Sequence, residues 1–211
     1  MPETPWRIAP RRSSVGATPP RFRPLHPTLA RYYPTVPALL APAAALLLLT
    51  NNRLALAIAL ILTACVSAMA LLGFQRQGEA WPRAFAALGR ASISIFCLTL
   101  FVVFLGNHWL PVWGFIVIYI CEFIPPYLRV FAQQAGRPVG VRFTARLRIA
   151  VYLVAQAAII IEAVAGGSTQ PVSGLPVTMT LFWLAVASAV LYLVDHVIVA
   201  FANIADGRKP S

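Results

Sequence analysis

Residues 54–73 read LALAIALILTACVSAMALLG, twenty positions with no charge and no proline. As a helix rising about 1.5 Å per residue, this stretch covers ~30 Å, the thickness of a bilayer's hydrocarbon core. Working outward from it, the chain shows six apolar segments, at 35–50, 54–74, 89–106, 109–128, 147–165 and 175–203. The first is short and carries Pro37 and Pro42, and the last is long enough to tilt or to run beyond the interface. The connections are short: Asn51-Asn52-Arg53, 75–88, Asn107-His108, 129–146 and a Gly/Ser/Thr/Pro loop at 166–174. No internal repeat appears. The expected fold is all-α, an integral membrane bundle of six transmembrane helices over 35–205.

Composition agrees. Of 211 residues, 59% are hydrophobic and 11% charged, against about 25% charged in a soluble domain, and mean hydropathy is +0.76. A soluble domain, a disordered chain, a disulfide scaffold and a coiled coil are all excluded. Cys65, Cys97 and Cys121 lie within apolar runs and read as small buried hydrophobes, without metal-ligand spacing. His26, His108 and His196 form no metal motif.

The formal net charge of +11 is a matter of placement. Six arginines lie in the proline-rich stretch 1–34, which reads as a cytoplasmic arm with neither the apolar core nor the cleavage pattern of a signal peptide. Arg76, Arg83 and Arg90 flank the second connection. Arg129, Arg137, Arg142, Arg146 and Arg148 flank the fourth, and Arg208 and Lys209 lie in the short tail 206–211. With six spans, sixteen of the seventeen basic residues fall on one side, and Arg53 alone on the other. The positive-inside rule then puts both termini in the cytoplasm of a bacterial inner membrane. The charge is a topology signal and an attraction to anionic headgroups, with no nucleic-acid partner implied. A homodimer or a membrane-protein partner stays open.

Six acids exist, and three fall within apolar segments: Glu122, Glu162 and Asp195. A charge at mid-membrane costs at least ~2.5–3.5 kcal/mol, so each is a candidate functional residue. Glu122 precedes Arg129 by seven residues, about 10 Å along a helix. Asp195 falls at a similar depth, and Glu162 near the outer face. Glu122 and Asp195 are therefore expected to share an inward-facing cavity with Arg129, Arg146 and Arg148 and to orient those arginines. Arg146 and Arg148 point about 200° apart on a helix, so one of them, the deeper Arg148, is expected to face the cavity. Asp195 and His196 are adjacent, about 100° apart, and make no catalytic dyad by adjacency.

The order of segments resembles the CDP-alcohol phosphatidyltransferases, six-span enzymes of phospholipid biosynthesis with cytoplasmic termini. They pass the phosphatidyl group of CDP-diacylglycerol to a small alcohol and release CMP. That family often places Arg-Glu in its fourth span with an Arg seven residues later. Cys121-Glu122-Phe-Ile-Pro-Pro-Tyr-Leu-Arg129 matches at the Glu and the second Arg, and Gly136 follows. Ala145-Arg146-Leu147-Arg148-Ile149 is similar to the Gly-Lys-x-Lys-Thr that opens the family's fifth span. Two cations there can hold a phosphate or lipid headgroup.

The family's D-x2-D-G-x2-A-R and G-x3-D-x3-D, whose aspartates hold two divalent cations, are missing. Ala68-Met69-Ala70-Leu71-Leu72-Gly73-Phe74-Gln75-Arg76 keeps only Arg76, and 85–94 contains no acid. The resemblance thus implies a member without catalysis, a pseudoenzyme with no resident metal. Its basic cytoplasmic mouth, Arg76, Arg129, Arg146 and Arg148, would bind an anionic lipid or a partner. An active transferase using Mg²⁺ or Mn²⁺, and a small transporter or channel unrelated to the family, are the alternatives.

Overall fold

A computed structural model describes residues 34–50, 52–75, 83–134, 143–166 and 176–206. The described residues are helical throughout, apart from turns, with no strand. Six helices follow in order: α1 Val36–Leu49, α2 Arg53–Gln75, α3 Arg83–Gly106, α4 Val112–Gln134, α5 Phe143–Gly166 and α6 Pro176–Asp206. Five of them, α2 to α6, are long and apolar enough to cross a bilayer. A helix satisfies all its backbone groups internally, which is what an apolar solvent demands.

The exception is α1. Its 14 residues reach about 21 Å, short of a hydrocarbon core, and it contains Pro37 in its first turn and Pro42 within it. The tail 1–33, Arg76, Glu79, Arg137, Arg142 and the loop 167–175 lie outside the described residues.

The charged connections are shorter than the sequence suggests. Arg83 and Arg90 lie on α3, and Arg129 lies on α4, five residues before the end of that helix. Apolarity marks where a helix is greasy, but the helix itself continues until its backbone finds other partners at the interface. Pro125 and Pro126 sit inside α4 without ending it.

Helix α1 packs between α2 and α3, and α6 packs between α4 and α5. The two triplets are joined chiefly through α2 against α5. At the α4–α6 contact, Gly114 is required: a Cβ there would fall 2.5 Å from the Phe182 ring. The core around α5 is aromatic. Phe101 meets Tyr152 edge-on at 5.4 Å between centroids and Phe182 at 6.3 Å. Outward-facing Trp113, Tyr127, Phe131, Phe143 and Phe201 lie near helix ends, where aromatic rings suit the bilayer interface.

The turn from α3 to α4 is a Schellman motif. The His108 amide donates to the Leu105 carbonyl and the Trp109 amide to the Phe104 carbonyl, with His108 at φ 58°. The indole of Trp109 stacks on Phe104 at 5.7 Å, the apolar contact such caps carry.

Candidate functional site

Because successive long helices run in opposite directions, the start of α3, the end of α4, the start of α5 and the end of α6 meet at one end of the bundle. Every buried charged side chain among the described residues is there. Glu122 and Arg148 are 7% and 4% exposed, and Arg148 Nη1 lies 2.5 Å from Glu122 Oε1. The approach is close but off-axis, so it is an ion contact without hydrogen-bond geometry, and Arg148 Nε is buried with no partner.

Two tyrosines complete the Arg148 environment. The guanidinium carbon stands 3.9 Å from the Tyr192 ring centroid and 5.7 Å from that of Tyr152. A guanidinium is weakly hydrated and stacks well on aromatic faces, which makes arginine the cation best suited to this place. Tyr152 and Gln156 continue along the same face of α5 at four-residue spacing. Gln156 donates to the Cys97 carbonyl at 2.7 Å, which ties α5 to α3, and its own carbonyl is buried without a partner.

Arg129 lies beside this pair with a different set of contacts. Its Nη2 donates to the Tyr192 hydroxyl at 2.9 Å, and Nε and Nη2 approach His196 Nε2 at 3.1 and 2.8 Å. Its partners are thus neutral. Arg90, half-buried on α3, lies within electrostatic reach of Arg129 and Tyr192. Asp195 is half-buried and accepts a hydrogen bond from Thr144 at 2.7 Å. Three guanidinium groups from three helices therefore meet beside the Glu122 carboxylate, and they outnumber the two carboxylates even with Asp195 counted.

Of the residues singled out from the sequence, Glu122, Arg129, Arg148 and Asp195 come to this end. Glu122 contacts Arg148, and Asp195 accepts a hydrogen bond from Thr144. Arg146 is exposed on the outer face of α5, and Arg76 lies outside the described residues. Glu162, near the far end of α5, accepts a hydrogen bond from Thr178. Sequence reasoning passed over Arg90, Tyr152, Tyr192 and His196. A signal for the last two was available: polar side chains four apart on a helix share one face, and these two rings meet at 4.3 Å between centroids, tilted by 57°.

A divalent pair does not fit this donor set. Across 64–98 the sequence offers one carboxylate, Glu79, and the buried Glu122 is engaged by Arg148. Hard cations need more oxygen ligands than that. No family model, no curated protein and no solved structure matches the chain.

Proposed function

We propose that this protein crosses a bacterial inner membrane six times, α1 included, with residues 1–34 and 206–211 on the cytoplasmic side. Its inner end binds an anionic phosphate group, as a lipid headgroup or as a small phosphate ester. In this reading it keeps the layout of the CDP-alcohol phosphatidyltransferases and lacks their catalysis. The supporting observation is the meeting of Arg90, Arg129 and Arg148 beside the Glu122 carboxylate, with neutral acceptors, Tyr192 and His196, as the hydrogen-bond partners of Arg129 among the described residues. A guanidinium held this way exchanges its neutral partners for a phosphate oxygen, which makes a stronger, charge-assisted bond. The tyrosine faces around Arg148 keep that charge inside the bundle without neutralising it.

The test is lipid retention in the full-length protein, read by native mass spectrometry. Arg129→Ala and Arg148→Ala should each retain about tenfold less anionic phospholipid, while Arg12→Ala stays within ~twofold of wild type. Equal retention in all three variants reduces the cluster to a topology anchor. Competition distinguishes the sources: displacement by dioctanoyl phosphatidylglycerol but not by glycerol phosphate assigns the site to lipid, and the reverse assigns it to a soluble ester. Release of CMP from CDP-diacylglycerol with Mg²⁺ or Mn²⁺ would replace this reading with the transferase one. Labelling of engineered cysteines at 167–173 from outside, but not at 135–140, tests the topology.

A further inference from the structure

We propose that this site takes up a proton together with its anion, and that His196 is the group that receives it. The inference rests on the anion-binding reading above. It starts from the two ring nitrogens of His196, which the fold holds in different states. Nδ1 lies 2.9 Å from the Tyr192 carbonyl, one turn back on the same helix. A carbonyl only accepts, so Nδ1 carries the hydrogen. Nε2 faces Arg129 Nε at 3.1 Å and Nη2 at 2.8 Å. Arginine only donates, so Nε2 presents its lone pair. The imidazole is thus neutral with its tautomer fixed from both sides, and the ring is buried.

Protonation of Nε2 in this arrangement would set an N–H against two N–H groups. It would also add a positive charge where positive charge is already in excess. Arg129 faces the ring from α4 and Arg148 from α5, with Arg90 of α3 beyond Arg129. On α6 itself the Tyr192 ring lies tilted against the imidazole and Asp195 is adjacent. Glu122 of α4 is held by Arg148. Asp195 adds a negative charge near the ring, and its Oδ2 accepts from Thr144.

A phosphate oxygen arriving at Arg129 reverses the balance. The Arg129 fork turns from Nε2 and the Tyr192 hydroxyl to the anion. Nε2 then gains one proton from solvent and donates it to the same anion. No bond in the ligand breaks, and the complex gains one H⁺ relative to its parts. The linkage sign follows: an anion that prefers the imidazolium form binds more tightly as pH falls through the histidine range. The four-residue spacing of Tyr192 and His196 marks a shared face, but not the pairing with Arg129, which lies 67 residues away.

The probe is dioctanoyl phosphatidylglycerol, a phosphodiester whose own charge stays constant between about pH 5.5 and 8.5. It is titrated calorimetrically into the detergent-solubilised full chain. Wild type should bind about tenfold more tightly at the acid end. In two buffers of different ionisation heat it should show uptake approaching one proton. His196→Gln keeps a hydrogen-bonding side chain that does not titrate, and should hold its affinity within ~twofold across the range. Glu122→Gln and Asp195→Asn should keep the wild-type slope.

A pH-independent affinity with no proton uptake in wild type overturns the proposal. So does a slope that persists in His196→Gln or vanishes in either acid variant. Should His196→Gln fail to fold, the wild-type proton count and the two acid variants still decide. Absence of binding at every pH overturns the anion reading and this inference with it. A flat but real affinity overturns this inference alone.

Discussion

The two helix triplets draw on the same apolar residues and bury their polar ones differently. In α1–α3 the buried Thr63 hydroxyl turns back 2.9 Å to the Ala59 carbonyl of its own helix. That bond joins nothing, and it leaves the packing to shape alone. In α4–α6 the Ser188 hydroxyl also turns back on its own helix, but other buried and half-buried polar groups pair across helices: Glu122 with Arg148, Arg129 with Tyr192 and His196, Thr144 with Asp195, and Thr178 with Glu162. A self-satisfied hydroxyl leaves rotation about the helix axis free to follow packing. A cross-helix ion contact fixes both rotation and depth, because an unmet charge in the membrane is costly. The second triplet is thus where a site can be held in place, and among the described residues the first supplies Arg90 and the Cys97 carbonyl.

The largest expected effect breaks this difference at its centre. Glu122→Ala leaves Arg148 buried without its counter-charge and should cost about 3–5 kcal/mol, read as thermal unfolding in detergent. The double variant Glu122→Leu/Arg148→Met removes both charges with similar volume, and should recover most of that loss while abolishing anion retention. Thr63→Val, a comparably buried polar change in the first triplet, should stay within ~1 kcal/mol. If Thr63→Val costs as much as Glu122→Ala, the contrast between the triplets is wrong.

A smaller effect is expected where the second triplet packs most closely. Gly114→Ala brings a Cβ to 2.5 Å from the Phe182 ring and should cost about 1–3 kcal/mol through overpacking. Phe182→Leu in the same chain should recover part of it. An uncoupled pair, with the two costs simply adding, would mean that α4 and α6 adjust their separation freely.

How far the sequence carried the structure follows from the same physics. Length and apolarity mark α2 to α6, since burial of backbone in lipid leaves a helix as the one solution for such runs. The angle between Arg146 and Arg148 is local geometry, and one is indeed exposed where the other is 4% exposed. What neighbours decide was not legible. Apolarity does not say that α4 carries Arg129 on an inner face, because the helix continues past its greasy part. Tyr192 and His196 read as ordinary span residues until Arg129 is placed beside them. Nor does the sequence show that Thr144 donates to Asp195, 51 residues away. Pairings over such separations leave no periodic trace.

The smallest expected effect sharpens the comparison at the joint between the triplets. The α3–α4 turn places His108 at φ 58°, a left-handed conformation that costs a non-glycine residue about 1–2 kcal/mol. Glycine removes that strain, and it loses more backbone freedom on folding, so part of the gain is offset. His108→Gly should therefore stabilise the protein by ~0.5–1 kcal/mol, a rise of a few degrees in unfolding temperature. The imidazole is exposed and takes no part in the two cap hydrogen bonds, which come from backbone amides. Anion retention should accordingly stay at the wild-type level, since the turn lies at the opposite end of α3 and α4 from the arginines. Trp109→Ala should act in the other direction, because it removes the ring stacked on Phe104 that closes the cap. A His108→Gly variant that is less stable than wild type would show that the imidazole holds the turn through contacts of its own, and that the two triplets are joined by more than packing and a backbone cap.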